Sequence, residues 1–221
     1  MPEFNHDNKD WSRTSDFFSG YAHDFDAIYG GSGPFNRIIS AIFRRSMRRR
    51  YENTLLACTP GEGKTALDIG CGPGHYSVAL AQRGLKKVVG IDFAPEMIRL
   101  ARLRADSAGV SARCEFIEAD FENLEFDLSF DFVICMGVLD YIGEPLTFVQ
   151  KTIALAGRRA LFSLPRAEGF LAWQRKMRYK SKCDLFLYSY AEVQRLFNWF
   201  SDKKVTIEKI NRDYFVIVDC E

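Results

Sequence analysis

A glycine-rich turn directly after a short apolar run places the strongest constraint on this chain. Residues 66–69 are mostly apolar, and glycines follow at positions 70, 72 and 74. Glycine is required where φ is positive or where a ligand approaches the backbone more closely than a Cβ would permit. The pattern therefore predicts a strand, a tight turn and then a helix, with a ligand close to the turn.

From residue 64 onward, short apolar runs alternate with helical patterns. Five strands are predicted in this part, over 64–69, 88–92, 114–120, 130–136 and 160–164. A helix over 189–200 and a hairpin of strands over 205–207 and 214–218 follow them. Such alternation implies right-handed crossovers and a parallel sheet with helices on both faces. We therefore expect an α/β fold, a Rossmann-like, doubly wound and mostly parallel sheet of seven strands with a C-terminal antiparallel hairpin.

The residues before this alternation are predicted to form a helical N-terminal lid. Two amphipathic helices are expected, over 11–29 and 34–57. The face of the second helix opposite its apolar stripe carries five arginines, which are Arg44, Arg45, Arg48, Arg49 and Arg50. This cluster is either a solvated helix face or an attraction for an acidic substrate, an anionic lipid surface or a partner.

The composition argues against several classes of protein. The 30 basic and 29 acidic side chains nearly balance, which gives no overall electrostatic attraction to nucleic acid. The six cysteines are scattered, without a C-x-x-C pair or histidines at metal-ligand spacing, so neither a metal site nor a disulfide framework is predicted. The N-terminus lacks the apolar core of a signal peptide, and no run approaches the ~20 apolar residues of a membrane span. We therefore expect a cytoplasmic protein.

The residues best suited to ligand contact all fall where a predicted strand ends. Asp92 follows the second strand, Asp120 the third, and Met136 and Gly137 the fourth, and open parallel sheets bind ligands at this edge. The spacing G-x-G-x-G lacks the later glycine of the dinucleotide fingerprint G-x-G-x-x-G, so a nicotinamide or flavin dinucleotide is the less favoured ligand. Asp92 is placed to accept hydrogen bonds from ribose hydroxyls, which favours a nucleoside. The alternative is a surface acid that caps the next helix.

Four segments follow one another in a characteristic order, namely Asp68–Gly74, Gly90–Met97, Ala119–Phe121 and Phe130–Gly137. In residues and spacing they resemble the class I S-adenosylmethionine-dependent methyltransferases. The resemblance implies S-adenosyl-L-methionine as the cofactor, with the glycine turn near its methionine part, Asp92 at the ribose and Asp120 at the adenine amino group. The cofactor contacts that it implies are Asp68, Gly70, Cys71, Gly72, Gly74, Asp92, Phe93, Met97, Asp120, Phe121, Met136 and Gly137. For Phe93 and Met97, ordinary core packing is an equally open alternative.

The segment Phe25–Tyr29 bears a weaker resemblance to the aromatic-rich lids of quinone-type and magnesium-porphyrin-type methyltransferases. It implies lid contacts to the cofactor from Tyr21 and Tyr29, with helix packing as the alternative. The resemblance extends to the whole chain as one methyltransferase domain over 1–221. The expected parts are the N-terminal lid over 1–57, a cofactor-binding core over 64–165, a substrate-cap insertion over 166–187 and a C-terminal helix and hairpin over 188–221.

The insertion 166–187 combines basic and aromatic side chains, which favours a small acidic or amphiphilic methyl acceptor and leaves a membrane surface open. No constellation demands a dedicated catalytic base. Tyr141, Asp140, His23 and Arg166 are candidates by position alone, and packing or a surface role is the alternative for each. We expect an enzyme that methylates oxygen or nitrogen of a small molecule and has no nucleic-acid partner. A nicotinamide-dependent oxidoreductase and a non-catalytic S-adenosylmethionine-binding module remain open.

Overall fold

The computed structural model describes residues 34–169 and 185–221, with side chains from residue 45 onward in the first range. The helices are α1 (Pro34–Ala57), α2 (His75–Gln82), α3 (Pro95–Ser107), α4 (Pro145–Ala154) and α5 (Tyr190–Phe197). The strands are β1 (Thr65–Ile69), β2 (Lys87–Asp92), β3 (Cys114–Glu118), β4 (Phe130–Met136), β5 (Ala156–Pro165), β6 (Lys204–Ile210) and β7 (Asp213–Asp219). The helix predicted over 11–29 and the central part of the insertion lie outside the described residues.

The seven strands form one sheet in the order β3-β2-β1-β4-β5-β7-β6. Strands β1 to β5 are parallel, and β7 is antiparallel to both of its neighbours. The predicted doubly wound sheet with a C-terminal antiparallel hairpin is therefore confirmed. The strand order reverses between β1 and β4, and a crevice for ligands is expected at the carboxyl ends of these two strands.

Apolar side chains pack on both faces of the sheet. One cluster joins Phe148 of α4 and Val193 of α5 to Val133 of β4, and the other joins Leu80 of α2 to Ile134 of the same strand. Because consecutive residues of β4 face opposite clusters, the strand is apolar along most of its length, as a central parallel strand must be.

Strand β5 starts four residues before the predicted position 160, because its polar first half is stabilised by partners on the last strand and at the C-terminus. Arg159 pairs with Asp219 at 2.8 Å and Arg158 pairs with Glu221 at 2.5 Å. The capping box at Ser189 is present, as predicted, with Glu192 as its partner. The regular part of α5 ends at Phe197, and a short 3-10 turn continues it to residue 200.

The arginines of α1 do not share one solvated face, which corrects the sequence-based prediction. Arg48 is exposed and pairs with Glu52, and Arg49 lies 4.0 Å from Glu208 of β6. Arg50 is only 8% exposed. It lies on the buried side of α1 because polar groups of α2, β5 and β7 meet it there. No helix in the described part of the chain combines the length and the apolar character needed to cross a membrane.

Candidate functional site

The glycine turn between β1 and α2 is fixed to the neighbouring strand by its backbone. The Cys71 N–H donates to the carbonyl of Ile91 in β2 at 2.9 Å, and the Gly74 N–H donates to the carbonyl of Cys71 at 3.0 Å. Gly70, Gly72 and Gly74 all have positive φ, at 65°, 51° and 75°. The turn therefore holds a conformation that side chains disfavour at three nearby positions.

The three glycines have different surroundings. A Cβ at Gly70 would overlap the side chain of Val138, and a Cβ at Gly74 would lie 3.0 Å from the Cβ of Ala101 in α3. A Cβ at Gly72 would meet nothing within 4 Å. Gly70 and Gly74 thus permit close internal packing, whereas Gly72 borders open space that a ligand can occupy.

Asp92 ties the end of β2 to this turn. Its carboxylate accepts the N–H of Gly72 at 2.9 Å through Oδ2 and the N–H of Ala94 at 2.9 Å through Oδ1. Burial raises the pKa of Asp92, while the hydrogen bonds from these N–H groups counteract the rise. Asp92 is buried rather than a surface acid. Asp92 does not cap α3, which has no side-chain cap; it fixes Ala94, the residue before that helix, and the glycine turn.

Asp68 and Cys71 lie beneath the turn. Asp68 is 1% exposed, and its carboxylate accepts a hydrogen bond of 2.6 Å from the Ser77 hydroxyl, which attaches α2 to β1. Burial raises the pKa of Asp68 to about 7. Burial also raises the pKa of the Cys71 thiol well above its ordinary value. Neither side chain is exposed, so both support the turn from below.

The loop after β3 is held by Asp120, which caps the short 3-10 turn over 121–123. Asp120 accepts the N–H of Glu122 at 3.0 Å and the side-chain amide of Asn123 at 3.2 Å. Phe121 is buried, and its ring lies 5.1 Å from that of Phe148. Met97 is also buried, which is its core-packing alternative, whereas Phe93 is half-buried.

The segment after β4 contains two of the candidates for catalysis. Met136 is buried, and Gly137 has a φ of 83° and donates its N–H to the Ser163 hydroxyl of β5 at 2.8 Å. Asp140 is buried in the short turn that follows, beside the half-buried Tyr141.

Arg166, the third candidate, has different contacts. Arg166 donates to the carbonyl of Asn211 in the β6–β7 turn at 2.8 Å and lies 3.4 Å from Glu168. Asp140 and Tyr141, which are adjacent in the sequence, thus lie after β4, whereas Arg166 contacts the β6–β7 hairpin. His23, Tyr21 and Tyr29 lie outside the described residues.

Arg50 is a site residue that the sequence analysis misplaced. Its Nε donates to the Tyr76 hydroxyl at 3.2 Å and its Nη1 to the Ser163 hydroxyl at 3.3 Å. A Cβ at Gly137 would lie 3.6 Å from Nη1, so the guanidinium covers that glycine. Burial would lower the pKa of Arg50, but Tyr76, Asp213 and Asp140 together raise it above its ordinary value. Arg50 is thus a permanent buried cation at the carboxyl edge of the sheet.

A sequence signal for this burial exists in α1. Ser46, Arg50 and Thr54 are spaced by four residues, share one helix face and are all buried. Their spacing runs beside the apolar positions Met47 and Tyr51, which would have marked Arg50 as an inward-facing residue. Among the residues that the structure describes, no group of three His, Cys, Asp or Glu side chains is arranged to hold a metal ion.

Comparison with known proteins places this geometry in a family. Residues 60–198 match the family described as methyltransferase domain. The ubiquinone biosynthesis O-methyltransferase of Methylobacterium sp. (strain 4-46) is 35% identical over 130 residues, which cover 58% of this chain and 51% of that protein. The mitochondrial enzyme of the same name from Arabidopsis thaliana is 30% identical over 137 residues, which cover 59% of this chain and 42% of that protein. The chain thus spans about half the length of the curated relatives it matches.

A solved structure extends the likeness in fold to nearly the whole chain. Magnesium protoporphyrin IX methyltransferase from Synechocystis, crystallised with bound SAH, superposes with a TM-score of 0.74 at 19% identity, covering 96% of this chain and all of that one (100%). The match over 60–198 spans more than half of the present chain and includes the glycine turn, Asp92 and the end of β4. The chain therefore belongs to the methyltransferase domain family and has the seven-stranded class I fold.

Proposed function

We propose that this protein is an S-adenosylmethionine-dependent methyltransferase whose methyl acceptor is a small, acidic or amphiphilic molecule. The observation that carries the proposal is the open space at Gly72, whose N–H is held by Asp92 at 2.9 Å. A nucleoside needs close backbone approach and a carboxylate for its ribose, and the turn offers both. The family match supports methyl transfer over the hydride transfer of a nicotinamide enzyme.

The remaining contacts are assigned by their place around the crevice. Asp92 receives the ribose hydroxyls, and Asp120 lies at the end of the next strand for the adenine amino group. Arg50, at the other side of the crevice, binds the carboxylate of the methionine part. The guanidinium has five N–H donors. Within the described residues three of them are hydrogen-bonded, to Tyr76, Ser163 and Met47, so two remain for a carboxylate.

The chemistry requires little from the protein beyond positioning. The bound cofactor supplies a methyl group on a positively charged sulfur, and this charge disappears as the methyl moves to the acceptor. A buried crevice that aligns the two reactants can lower the activation free energy by about 7–11 kcal/mol through orientation. Asp140 and Tyr141 are the described candidates to hold or accept the proton of the acceptor.

The acceptor is expected beside the turn after β4. Residues 185–188, which we call the stem of the insertion, pack beside this turn. The Phe186 N–H donates to the carbonyl of Asp140 at 2.8 Å. Tyr188 places its hydroxyl 3.1 Å from the carbonyl of Leu139 and 3.0 Å from that of Ile142. The relatives are named O-methyltransferases, which favours oxygen over nitrogen as the acceptor atom.

A contact with anionic lipid through Arg44–Arg50 or 166–187 has weaker support. In α1, Arg48 pairs with Glu52, Arg49 lies near Glu208 and Arg50 is buried, so the stretch offers a lipid surface less charge than its sequence suggests. A cytoplasmic location remains our proposal.

Calorimetric titration with S-adenosylhomocysteine tests the proposed function. We expect binding to the wild-type protein and no comparable binding of NADH. Asp92→Asn should weaken the affinity by about 1–3 kcal/mol, or roughly 5- to 150-fold, because the amide cannot accept from both the turn and the ribose. Asp202→Asn is the matched control, since Asp202 is 75% exposed in a surface turn. Absence of S-adenosylhomocysteine binding to folded wild-type protein would overturn the proposal.

Binding alone does not distinguish an enzyme from a non-catalytic module. Methyl transfer from labelled S-adenosylmethionine to a panel of phenolic and carboxylated small molecules separates the two. Transfer to at least one acceptor, lost in Asp92→Asn at subsaturating cofactor, is the expected result. Tight cofactor binding without transfer to any acceptor class would favour the module.

A further inference from the structure

Ser163 is a buried hydroxyl that connects two parts of the site. It lies near the carboxyl end of β5, in register with Met136 of β4, and is 1% exposed. Its Oγ accepts the N–H of Gly137 at 2.8 Å and the Nη1 of Arg50 at 3.3 Å. A serine hydroxyl has two acceptor lone pairs. Both are thus used, one by the segment after β4 and one by the cation of α1.

The sheet places a carboxylate beside this junction. Ser163 pairs with Phe215 of β7, and Pro165 pairs with Asp213, so these four side chains share one face of the sheet. Asp213 is buried and lies 3.8 Å from Nη1 of Arg50. That distance exceeds a hydrogen bond, so the carboxylate balances the charge of Arg50 while the serine and Tyr76 fix its direction.

Besides these two hydroxyls, the described residues that hold the guanidinium of Arg50 are Met47, whose Sδ accepts from Nη2 at 3.1 Å, and Asp213. A long arginine side chain loses up to about 2 kcal/mol of rotamer freedom when it is fixed in one position. The hydroxyls of Tyr76 and Ser163 hold two different nitrogens of the guanidinium, which defines its plane. Removal of the Ser163 hydroxyl would leave Nη1 without a hydrogen bond to the described residues, so the guanidinium would be held less firmly on the side that faces β5.

We propose that Ser163 is a positioning residue that couples Arg50 to the segment after β4, so that a carboxylate bound by Arg50 orders the turn that receives the methyl acceptor. The inference rests on the proposed function, because the carboxylate is that of the cofactor. Ser163 acts through its two partners. The Oγ of Ser163 thus links two events, which are binding of the cofactor's amino-acid part at Arg50 and ordering of residues 136–142.

Two ligands separate this role from a general loss of structure. S-adenosylhomocysteine carries the amino-acid carboxylate, and 5′-methylthioadenosine is the same thionucleoside with a methyl group in place of the whole amino-acid chain. Ser163→Ala should weaken binding of S-adenosylhomocysteine about 5- to 10-fold, as expected for one hydrogen bond of ordinary strength, and change binding of 5′-methylthioadenosine less than about 2-fold. Ser163→Thr, which keeps the hydroxyl, should restore most of the difference. In an Arg50→Met background, Ser163→Ala should have no further effect on S-adenosylhomocysteine.

Amide hydrogen exchange measures the second half of the coupling. In the wild-type protein, S-adenosylhomocysteine should protect the peptide over 136–142 more than 5′-methylthioadenosine does. Ser163→Ala should abolish that difference while protection of the glycine turn persists. Thr152→Val is the matched control, because Thr152 is a fully buried hydroxyl of α4 that donates to the carbonyl of Phe148 at 2.8 Å. It should leave both ligand affinities and the exchange difference unchanged.

The outcomes distinguish this inference from the proposed function. If wild-type protein fails to bind either ligand, the proposed function itself fails. If it binds both, and Ser163→Ala weakens the two ligands equally or neither, the coupling through Ser163 is refuted. Equal protection of 136–142 by the two ligands in wild-type protein would also refute it.

Discussion

Gly72→Ala separates the conformational role of the glycine turn from its ligand role. The substitution adds one methyl group at a residue with a φ of 51° and with no heavy atom within 4 Å of the new Cβ. The methyl group therefore meets no protein atom. It meets only the space that we assign to the cofactor.

The expected magnitudes follow from these two facts. A side chain at left-handed backbone costs roughly 1–2 kcal/mol of folding free energy. For a chain of this size, each kcal/mol lowers the melting temperature by about 2–4 °C. Forcing a methyl group into a filled site costs about 1–3 kcal/mol. That cost corresponds to a roughly 5- to 150-fold loss of affinity for S-adenosylhomocysteine.

Gly109→Ala is the matched control. Gly109 follows α3, has a φ of 68° and also has nothing within 4 Å of a built Cβ. Thermal unfolding should show similar losses of stability for the two variants. Calorimetry should show weakened S-adenosylhomocysteine binding for Gly72→Ala alone. If the two variants bind the ligand equally well, the space at Gly72 is not part of the cofactor site.

Two further substitutions test the supports of the site. Burial raises the pKa of Asp68 from 3.8 to about 7, so the stabilisation associated with its protonated form is complete below pH 3.8 and is lost as the pH rises to about 7. The free energy of unfolding should fall by about 1.4 kcal/mol per pH unit in this range. Thermal unfolding of Asp68→Asn between pH 4 and 8 should not show this fall. The same pH profile in both proteins would contradict the assignment. Lys151→Met removes the ammonium that donates to the carbonyls of Phe121 and Glu122, both at 3.1 Å, and should cost about 1.5–3 kcal/mol in urea unfolding. The surface pair of Lys203 and Asp202, 3.7 Å apart, supplies the control Lys203→Met, for which we expect less than about 1 kcal/mol, and equal losses would refute the role of Lys151.

The core of the fold was predictable because its signals are local. An almost unbroken apolar run, interrupted only by Asp131, is typical of a central parallel strand, and β4 occupies the predicted residues, Phe130–Met136. The helix α1 likewise has the predicted bounds, Pro34–Ala57. Strand β5 was predicted too short, because the polar residues at its start are stabilised by Asp219 and Glu221, some 60 residues later in the chain.

The candidate site likewise contains residues that could be predicted from the sequence and residues that could not. Asp92 could be placed by its distance from the glycine turn, since consecutive strands of a crossover put their carboxyl ends together. The inward direction of Arg50 could have been inferred from its spacing with Ser46 and Thr54, but its partners could not, because Ser163 lies 113 residues away in the sequence. The polar groups that meet the guanidinium come from α2, β5 and β7, and only the assembled sheet brings them together. Asp92, which belongs to a local motif, could be predicted, whereas the partners of Arg50 depend on the assembled sheet and were missed.

Under the proposed function, segments attached to the sheet select the methyl acceptor, rather than the sheet itself. Phe186 lies so close to Gly143 that a Cβ there would be 2.9 Å from its ring. Tyr188 reaches the carbonyls of Leu139 and Ile142 from the same stem. Any displacement of this stem is therefore transmitted to the turn that contains Asp140, while the glycine turn and Asp92 are fixed to β1 and β2. Under the proposed function, the cofactor end of the crevice therefore stays constant while the acceptor end varies with the insertion.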